Sequence, residues 1–177
     1  MIYEPREDSY LLEEFVMQYS KDKSVLDLGS GSGIQARAAL KAGAKSVLAA
    51  DINLEVVDKL NKEGIPAIHS DMFSNISEKF DLIVCNPPYL PKDEREDSES
   101  ELITSGGERG DEWLCLFLSQ APDYLKSKGK ILIVLSSLTP REKINEIIHE
   151  NGMKKMVIAT ESLDFESLEV WLIESKA

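Results

Sequence analysis

Histidine and cysteine are scarce in this 177-residue chain, with two of each. His69 and His149 stand far apart, and neither sits in a cluster of ligand residues. Cys85 and Cys115 form no CxxC pair, so the spacings of a zinc site are missing. No metal site is expected. The two cysteines lie in apolar stretches, one strand-like and one helix-like, where buried thiols are the ordinary outcome. Long apolar runs are missing too: none approaches the roughly 18 residues that a membrane span requires. The opening MIYEPREDSY is acidic and lacks the basic-then-apolar pattern of a secretion signal. A cytoplasmic protein is expected. Basic charge is the third shortage: 20 Lys and Arg stand against 32 Asp and Glu, for a net charge of −12. Nucleic-acid binding draws much of its affinity from neutralised phosphates and leaves a basic footprint. Here the basic residues are scattered apart from Lys154-Lys155, so direct nucleic-acid binding is disfavoured. A basic protein partner fits better.

What is present is a regular alternation of strand-length apolar runs and helical patterns, expected to form one domain over residues 1–177. An amphipathic helix from Asp8 to Tyr19 comes first, then the strand Val25 to Gly29. A Gly-rich turn opens a helix from Ile34 to Lys41, closed by Gly43. The strand Ser46 to Asp51, a helix to Lys62 and a short strand Pro66 to Asp71 follow. Phe80 to Asn86 is an apolar strand that stops at Pro87-Pro88. Leu90 to Asp111 lacks periodicity and reads as a loop with room for a short helix. A helix from Glu112 to Leu125, a strand from Lys130 to Ser137 and a helix from Pro140 to Glu150 come next. The end, Met153 to Ser162 and Phe165 to Ser175, reads as two adjacent strands. Alternating elements imply a mostly parallel sheet with helices on both faces. The last two strands have no crossover between them and must be antiparallel.

DLGSGSG (Asp27 to Gly33) joins the first strand to its helix. Gly29, Gly31 and Gly33 let the backbone turn sharply and approach a ligand. Asp51 closes the next strand, where a carboxylate can accept two ribose hydroxyl protons. A nicotinamide fingerprint counted from Gly29 needs a third glycine at the place of Ile34, and Gly33 comes one residue early. The spacing is that of an S-adenosylmethionine site, although a Gly-rich turn can also be no more than a tight connection. Asp71 ends the third strand, where it could accept adenine amino protons, with Met72 offering a backbone N–H and an apolar wall. An Asp at such a place is also a common turn or cap residue. Asp27, Asp51 and Asp71 nevertheless end successive parallel strands, and ligands of open α/β sheets bind at that edge.

NPPY (Asn86 to Tyr89) closes the fourth strand. An amide nitrogen is a poor nucleophile because its lone pair is delocalised into the carbonyl. A catalyst must hold the NH₂ in line with the methyl group and draw its protons toward acceptors. The Asn86 side-chain oxygen and the Pro87 carbonyl can be those acceptors. The two prolines stiffen the loop, and Tyr89 supplies a flat wall for a planar group.

The combination YEPREDSYLL, LDLGSGSG, AD, SDMF, NPPYLP and GGERG resembles the HemK-type glutamine methyltransferases that modify translation release factors. It is most similar to their compact archaeal and eukaryotic branch, and the likeness extends to the closing TESLDFESLEVWLIE. The resemblance implies a seven-stranded Rossmann-like class I methyltransferase sheet, order 3-2-1-4-5-7-6, with a C-terminal antiparallel hairpin. It implies transfer of a methyl group from S-adenosylmethionine to the N5 nitrogen of glutamine in a Gly-Gly-Gln motif. It assigns Ser9, Asp27, Gly29, Asp51, Ile52, Asp71 and Met72 to the cofactor, and Asn86, Pro87 and Tyr89 to the glutamine. Asp27 departs from the Glu frequent in the family, a shorter group that could work through water. The bacterial branch has an N-terminal helical substrate-binding domain, which this chain is expected to lack. The resemblance also implies a small zinc-binding activator. The expected docking place is the edge strand Pro66 to Ser70, whose apolar IPAIH carries no Lys or Glu to blunt it. The acidic run Asp93 to Glu101 matches no motif and is expected either to steer a basic substrate or to be a solvated loop. Rival readings are a nucleic-acid exocyclic-amine methyltransferase, a protein-lysine methyltransferase and a non-catalytic scaffold subunit. The first would need base flipping and a basic surface, and the last should show decay of motifs that are intact here.

Overall fold

The computed structural model describes residues 4–89 and 105–176. The chain runs α1 (Glu7–Tyr19), β1 (Ser24–Leu28), α2 (Ile34–Lys41), β2 (Ser46–Asp51), α3 (Leu54–Lys62), β3 (Ala67–His69) and β4 (Phe80–Cys85). After residue 105 it continues as α4 (Glu112–Gln120), a 3₁₀ turn (Ala121–Tyr124), β5 (Leu125–Ser136), α5 (Glu142–Glu150), β6 (Met153–Ser162) and β7 (Ser167–Ser175). The strands form one sheet in the expected order, β3-β2-β1-β4-β5-β7-β6, with β7 antiparallel to both of its neighbours. The acidic run Asp93 to Glu101, and the rest of the expected Leu90 to Asp111 loop up to residue 104, fall outside the described residues.

Why the sheet is apolar on both sides follows from the winding. From β1 the chain steps outward through β2 to β3, then returns to place β4 on the other side of β1. Right-handed crossovers put helices on one face during the outward steps and on the other after the reversal. So α2 and α3 cover one face, where α1 joins them, and Leu12, Val16, Ala39 and Leu60 meet Val25, Leu82, Val84 and Leu132. On the other face Leu114, Phe117 and Ile144 meet Leu26, Ile83, Ile131 and Ile133. Alternate residues of one strand serve opposite cores, which is why β1 is buried along its whole length.

Three expected boundaries shift. The helix from Glu112 stops at Gln120 rather than Leu125 and tightens into a 3₁₀ turn holding Pro122, whose ring cannot continue an α-helix. The next strand therefore starts at Leu125, five residues before the expected Lys130. Leu125 pairs with Phe80, and the register then slips until Lys130 meets Leu82. The chain bulges there, with Lys128 left-handed at φ 64°. The last helix begins at Glu142, not at Pro140.

The edge strand differs more. β3 is three residues long and pairs with β2 through Pro66, Ile68 and Ser70. Parallel pairing turns the polar groups of Ala67 and His69 to the outside. The side chain of Asn61 spans both groups of Ala67, donating to its carbonyl at 2.9 Å and accepting from its N–H at 3.1 Å. Asn75 donates to the His69 carbonyl at 2.8 Å. The edge expected to be open to strand addition is thus largely closed by the chain's own amides, something no Lys or Glu in the strand itself could signal.

Replacing Asn61 with Ala should strip both bonds from Ala67 and cost on the order of 1–2 kcal/mol in urea unfolding. Amide exchange at Ala67 should accelerate in the same variant. Unaltered exchange there would mean that Asn61 does not close the edge.

Candidate active site

The reversal of winding separates the loops after β1 and β4, leaving a crevice at the carboxyl ends of the strands. A cavity of about 1270 Å³ fills it. One wall is the Gly-rich turn. Gly29, Gly31 and Gly33 have φ of 73°, 49° and 83°, a region where side chains are strained. Gly33 has a second reason to lack a side chain, since a Cβ there would collide with Leu60. Asp51 holds this turn. Its Oδ2 accepts from the Gly31 N–H at 2.9 Å, and Oδ1 accepts from the Asn53 N–H at 2.8 Å. Each carboxylate oxygen can accept again, which suits the ribose role expected of it. Ile52, exposed at 52%, and half-buried Met72 offer apolar surface beside it. Met72 is left-handed at φ 47° and its carbonyl accepts from Ser70 Oγ at 2.7 Å. Asp71 lies exposed at the same rim.

The opposite wall is the NPPY turn. Asn86, Pro87 and Tyr89 all line the cavity, as does Ser9 from the start of α1. The bonds among them run in one direction. Buried Asp8 accepts from the Ser9 hydroxyl at 3.2 Å through Oδ1 and from the Tyr89 hydroxyl at 2.9 Å through Oδ2. A carboxylate only accepts, so the Ser9 proton is committed to it. Ser9 Oγ in turn accepts from Asn86 Nδ2 at 3.3 Å. That orients the Asn86 amide with its Oδ1 available to accept, the role expected of it. Gln35 ties α2 to the same point by donating to the Ser9 carbonyl at 2.9 Å. Its buried Oε1 has no hydrogen-bond partner among the described residues.

Gly106 and Glu112 complete this side. A Cβ on Gly106 would stand 2.8 Å from the Pro88 carbonyl, so only glycine lets the two turns pack. Glu112 accepts from the N–H groups of Arg109 and Gly110 at 3.1 Å each and holds the turn before α4.

Most of the expected residues therefore meet in one cavity: Ser9, Gly29, Gly31, Asp51, Ile52, Asp71, Met72, Asn86, Pro87 and Tyr89. Asp27 and Gly33 do not line it. Asp27 is 1% exposed and accepts from the Ala36 N–H at 3.0 Å, so it fastens α2 to β1 from behind. Asp8, Gln35 and Glu112 were not singled out from the sequence. An acid in the first turn of a helix reads as a partner for the helix dipole, and nothing local to Asp8 announces that Tyr89 will reach it.

Burial pushes the Asp27 carboxyl up to about 7, with the Ala36 N–H opposing and the Asp51 charge adding to the rise. The folded state thus holds a proton that the unfolded chain has lost. Its contribution to stability is full below the ordinary carboxylate range, near pH 4, and is lost as pH rises through about 7. Asp27→Asn keeps an acceptor for Ala36 and removes the titration. Urea unfolding of the two proteins should show the wild type losing about 1.4 kcal/mol per pH unit relative to the variant across this window. A constant difference from pH 5 to 8 would refute the assignment.

Comparison with known proteins gives a consistent picture. Residues 8–165 match the methyltransferase small domain family. A Methanocaldococcus jannaschii protein that carries the name of a protein N5-glutamine methyltransferase is 39% identical, over 96% of this chain and 89% of that one. The human methyltransferase HEMK2 is 29% identical over 96% of this chain and 87% of its own. Among solved structures, the E. cuniculi Mtq2–Trm112 complex, described as responsible for methylation of the eRF1 termination factor, superposes with a TM-score of 0.80 at 22% identity. That superposition covers 99% of both chains. The family match and the M. jannaschii relative agree along nearly the whole sequence: the chain belongs to the methyltransferase small domain family and, within it, to the HemK-type glutamine methyltransferases.

Proposed function

We propose that this protein methylates the N5 nitrogen of a glutamine, in the Gly-Gly-Gln motif of a release factor, with S-adenosylmethionine as donor. The observation that carries the reading is the oriented acceptor at Asn86, fixed through Ser9 by Asp8 and facing the same cavity as the Gly-rich turn. The residues fit that donor: Asp51 has acceptor capacity for a ribose, and Ile52 and Met72 offer an apolar wall. When bound, the donor supplies an electrophilic methyl group on a sulfonium; the new N–C bond forms as the S–C bond breaks, and the nitrogen gives up one proton to water. Asn86 Oδ1 and the Pro87 carbonyl accept from the substrate NH₂ and hold its nitrogen in line. Tyr89, anchored on Asp8, confines the planar amide from the side. Positioning and preorganised polar groups supply the rate, and no strong base is needed.

Ser9, Gly29, Gly31, Asp51, Ile52, Asp71 and Met72 form the donor side of this assignment, and Asn86 serves both sides. Asp27 and Gly33 act on the donor only by shaping the turn. The release-factor glutamine methyltransferase of Streptococcus pneumoniae, 30% identical over 90% of this chain, supports a release factor as substrate. A cytoplasmic location accords with that substrate, and no helix among the described residues is long and apolar enough to cross a membrane. The Mtq2–Trm112 pairing supports a protein partner; that it is a small zinc-binding protein docked on the β3 edge is our proposal. Pairing through main-chain bonds there requires the Asn61 side chain to leave Ala67. Among the described residues no cluster of His, Cys, Asp or Glu could hold a metal ion.

Asn86→Ala should lower turnover by about 10²–10³ while donor affinity stays within a few-fold, since one preorganised acceptor contact is lost. Mass spectrometry of a release factor incubated with labelled S-adenosylmethionine reads both the rate and the modified residue, and near-normal turnover would remove the mechanism. Asp51→Ala should weaken donor binding by about 1.5–3 kcal/mol, the scale of charge-assisted hydrogen bonds. Unchanged calorimetric affinity would place the ribose elsewhere.

A further inference from the structure

The cavity does not end at the NPPY turn. It continues along Leu163, Glu166 and Leu168 at the β6–β7 hairpin and along Trp113 and Leu116 of α4. Between Leu163 and Glu166 stands Phe165, exposed at 94%. Leu138, just past β5, is 56% exposed, and Leu116 is 52% exposed. Large apolar side chains held in water beside a cavity mouth mark an interaction surface more often than chance exposure.

The hairpin tip is held in place. The Leu163 N–H donates to the Glu166 carbonyl at 2.8 Å, and Ser136 Oγ donates to the Glu166 carboxylate. The Ser137 N–H donates to the Ser167 carbonyl at 2.7 Å, and the Leu138 N–H to Ser136 Oγ at 3.1 Å. Thr139 Oγ1 donates to the Tyr89 carbonyl at 3.4 Å, which joins this rim to the acceptor turn. The backbone on either side of Phe165 is thus already held, which lowers the ordering cost when its ring is covered and suits it to be an anchor. Two acids line this end, Glu112, which pairs with Arg109 at 4.0 Å, and Glu166, and Arg6 is the one basic residue lining the cavity among the described residues.

We infer that the β6–β7 tip with Leu138 is the docking surface for the substrate protein. The occupant is the polypeptide segment that presents the glutamine. It packs an apolar side chain on Phe165 and Leu138 and brings a cationic one toward Glu166. The inference rests on the proposed activity, whose acceptor turn is continuous with this rim.

Steady-state methylation of an intact release factor tests it, with wild type, Phe165→Ala, Phe165→Asp, Leu138→Ala and Val157→Ala compared. Val157 is 45% exposed on β6 and serves as the apolar control away from the mouth. Both Phe165 variants should raise KM for the protein substrate roughly tenfold or more, as loss of an interface anchor does, and Leu138→Ala should raise it less. Turnover at saturation and calorimetric affinity for S-adenosylmethionine should stay at wild-type values. Unchanged KM in both Phe165 variants, or an equal rise in Val157→Ala, overturns the docking surface alone. A wild type that methylates no glutamine overturns the proposed function and this surface with it.

Discussion

The site exists because the sheet reverses its winding between β1 and β4. That single topological event parts the loops after these two strands and puts the Gly-rich turn opposite the NPPY turn. It also puts α2 and α3 on one face, where α1 joins them, and α4 and α5 on the other. The central strands must then be apolar on both sides, and only their carboxyl ends remain for polar chemistry. Asp51, Asp71 and Asn86 sit at or just past three such ends. Asp51 and Asn86 are tied there to neighbouring turns rather than to the core.

Within that crevice, Asp8 decides the direction of the hydrogen bonds. A carboxylate has no proton to give, so it takes those of Ser9 and Tyr89. The preference passes through Ser9 to Asn86, whose amide is thereby kept in the orientation that accepts. Gln35 fastens the same stretch of α1 to α2, the helix opened by the Gly-rich turn. The Gly-rich turn and the NPPY turn are therefore joined through the first turn of α1. Electrostatics near the turn follow the same economy: Asp51 faces the cavity among backbone N–H donors, while Asp27 behind it is starved of water and raised to about 7.

The sheet edges show how the chain manages surfaces that invite other chains. β3 is short, and Asn61 and Asn75 occupy most of its outward groups, so its backbone offers little while those amides stay in place. The exposed apolar side chains gather elsewhere, several of them at the carboxyl end of the sheet: Leu116 and Ile52 on the cavity wall, Leu138 and Phe165 beside its mouth. Together with Glu112 and Glu166 they give the acceptor end a surface suited to a polypeptide that is apolar and basic, in keeping with the net charge of −12.

Much of this architecture was legible in the order of residues. Apolar runs of strand length separated by helical patterns specify a parallel sheet, and the crossover rule makes the last two strands antiparallel. Glycine spacing after β1 and a carboxylate at each strand end point to the ligand edge, because those signals are local and depend on a few consecutive φ angles. Boundaries were less legible where a local rule met a tertiary one, as at Leu125, where pairing with Phe80 begins the strand early. What only the folded chain decided is long-range and polar. Asp8 and Tyr89 lie 81 residues apart, Asn61 reaches Ala67 only across the turn after α3, and Asp27 looks like a ligand residue until burial places it behind the wall. Local sequence sets which groups a residue owns, but the partner that claims each lone pair or proton is chosen by packing, and packing is a property of the whole chain.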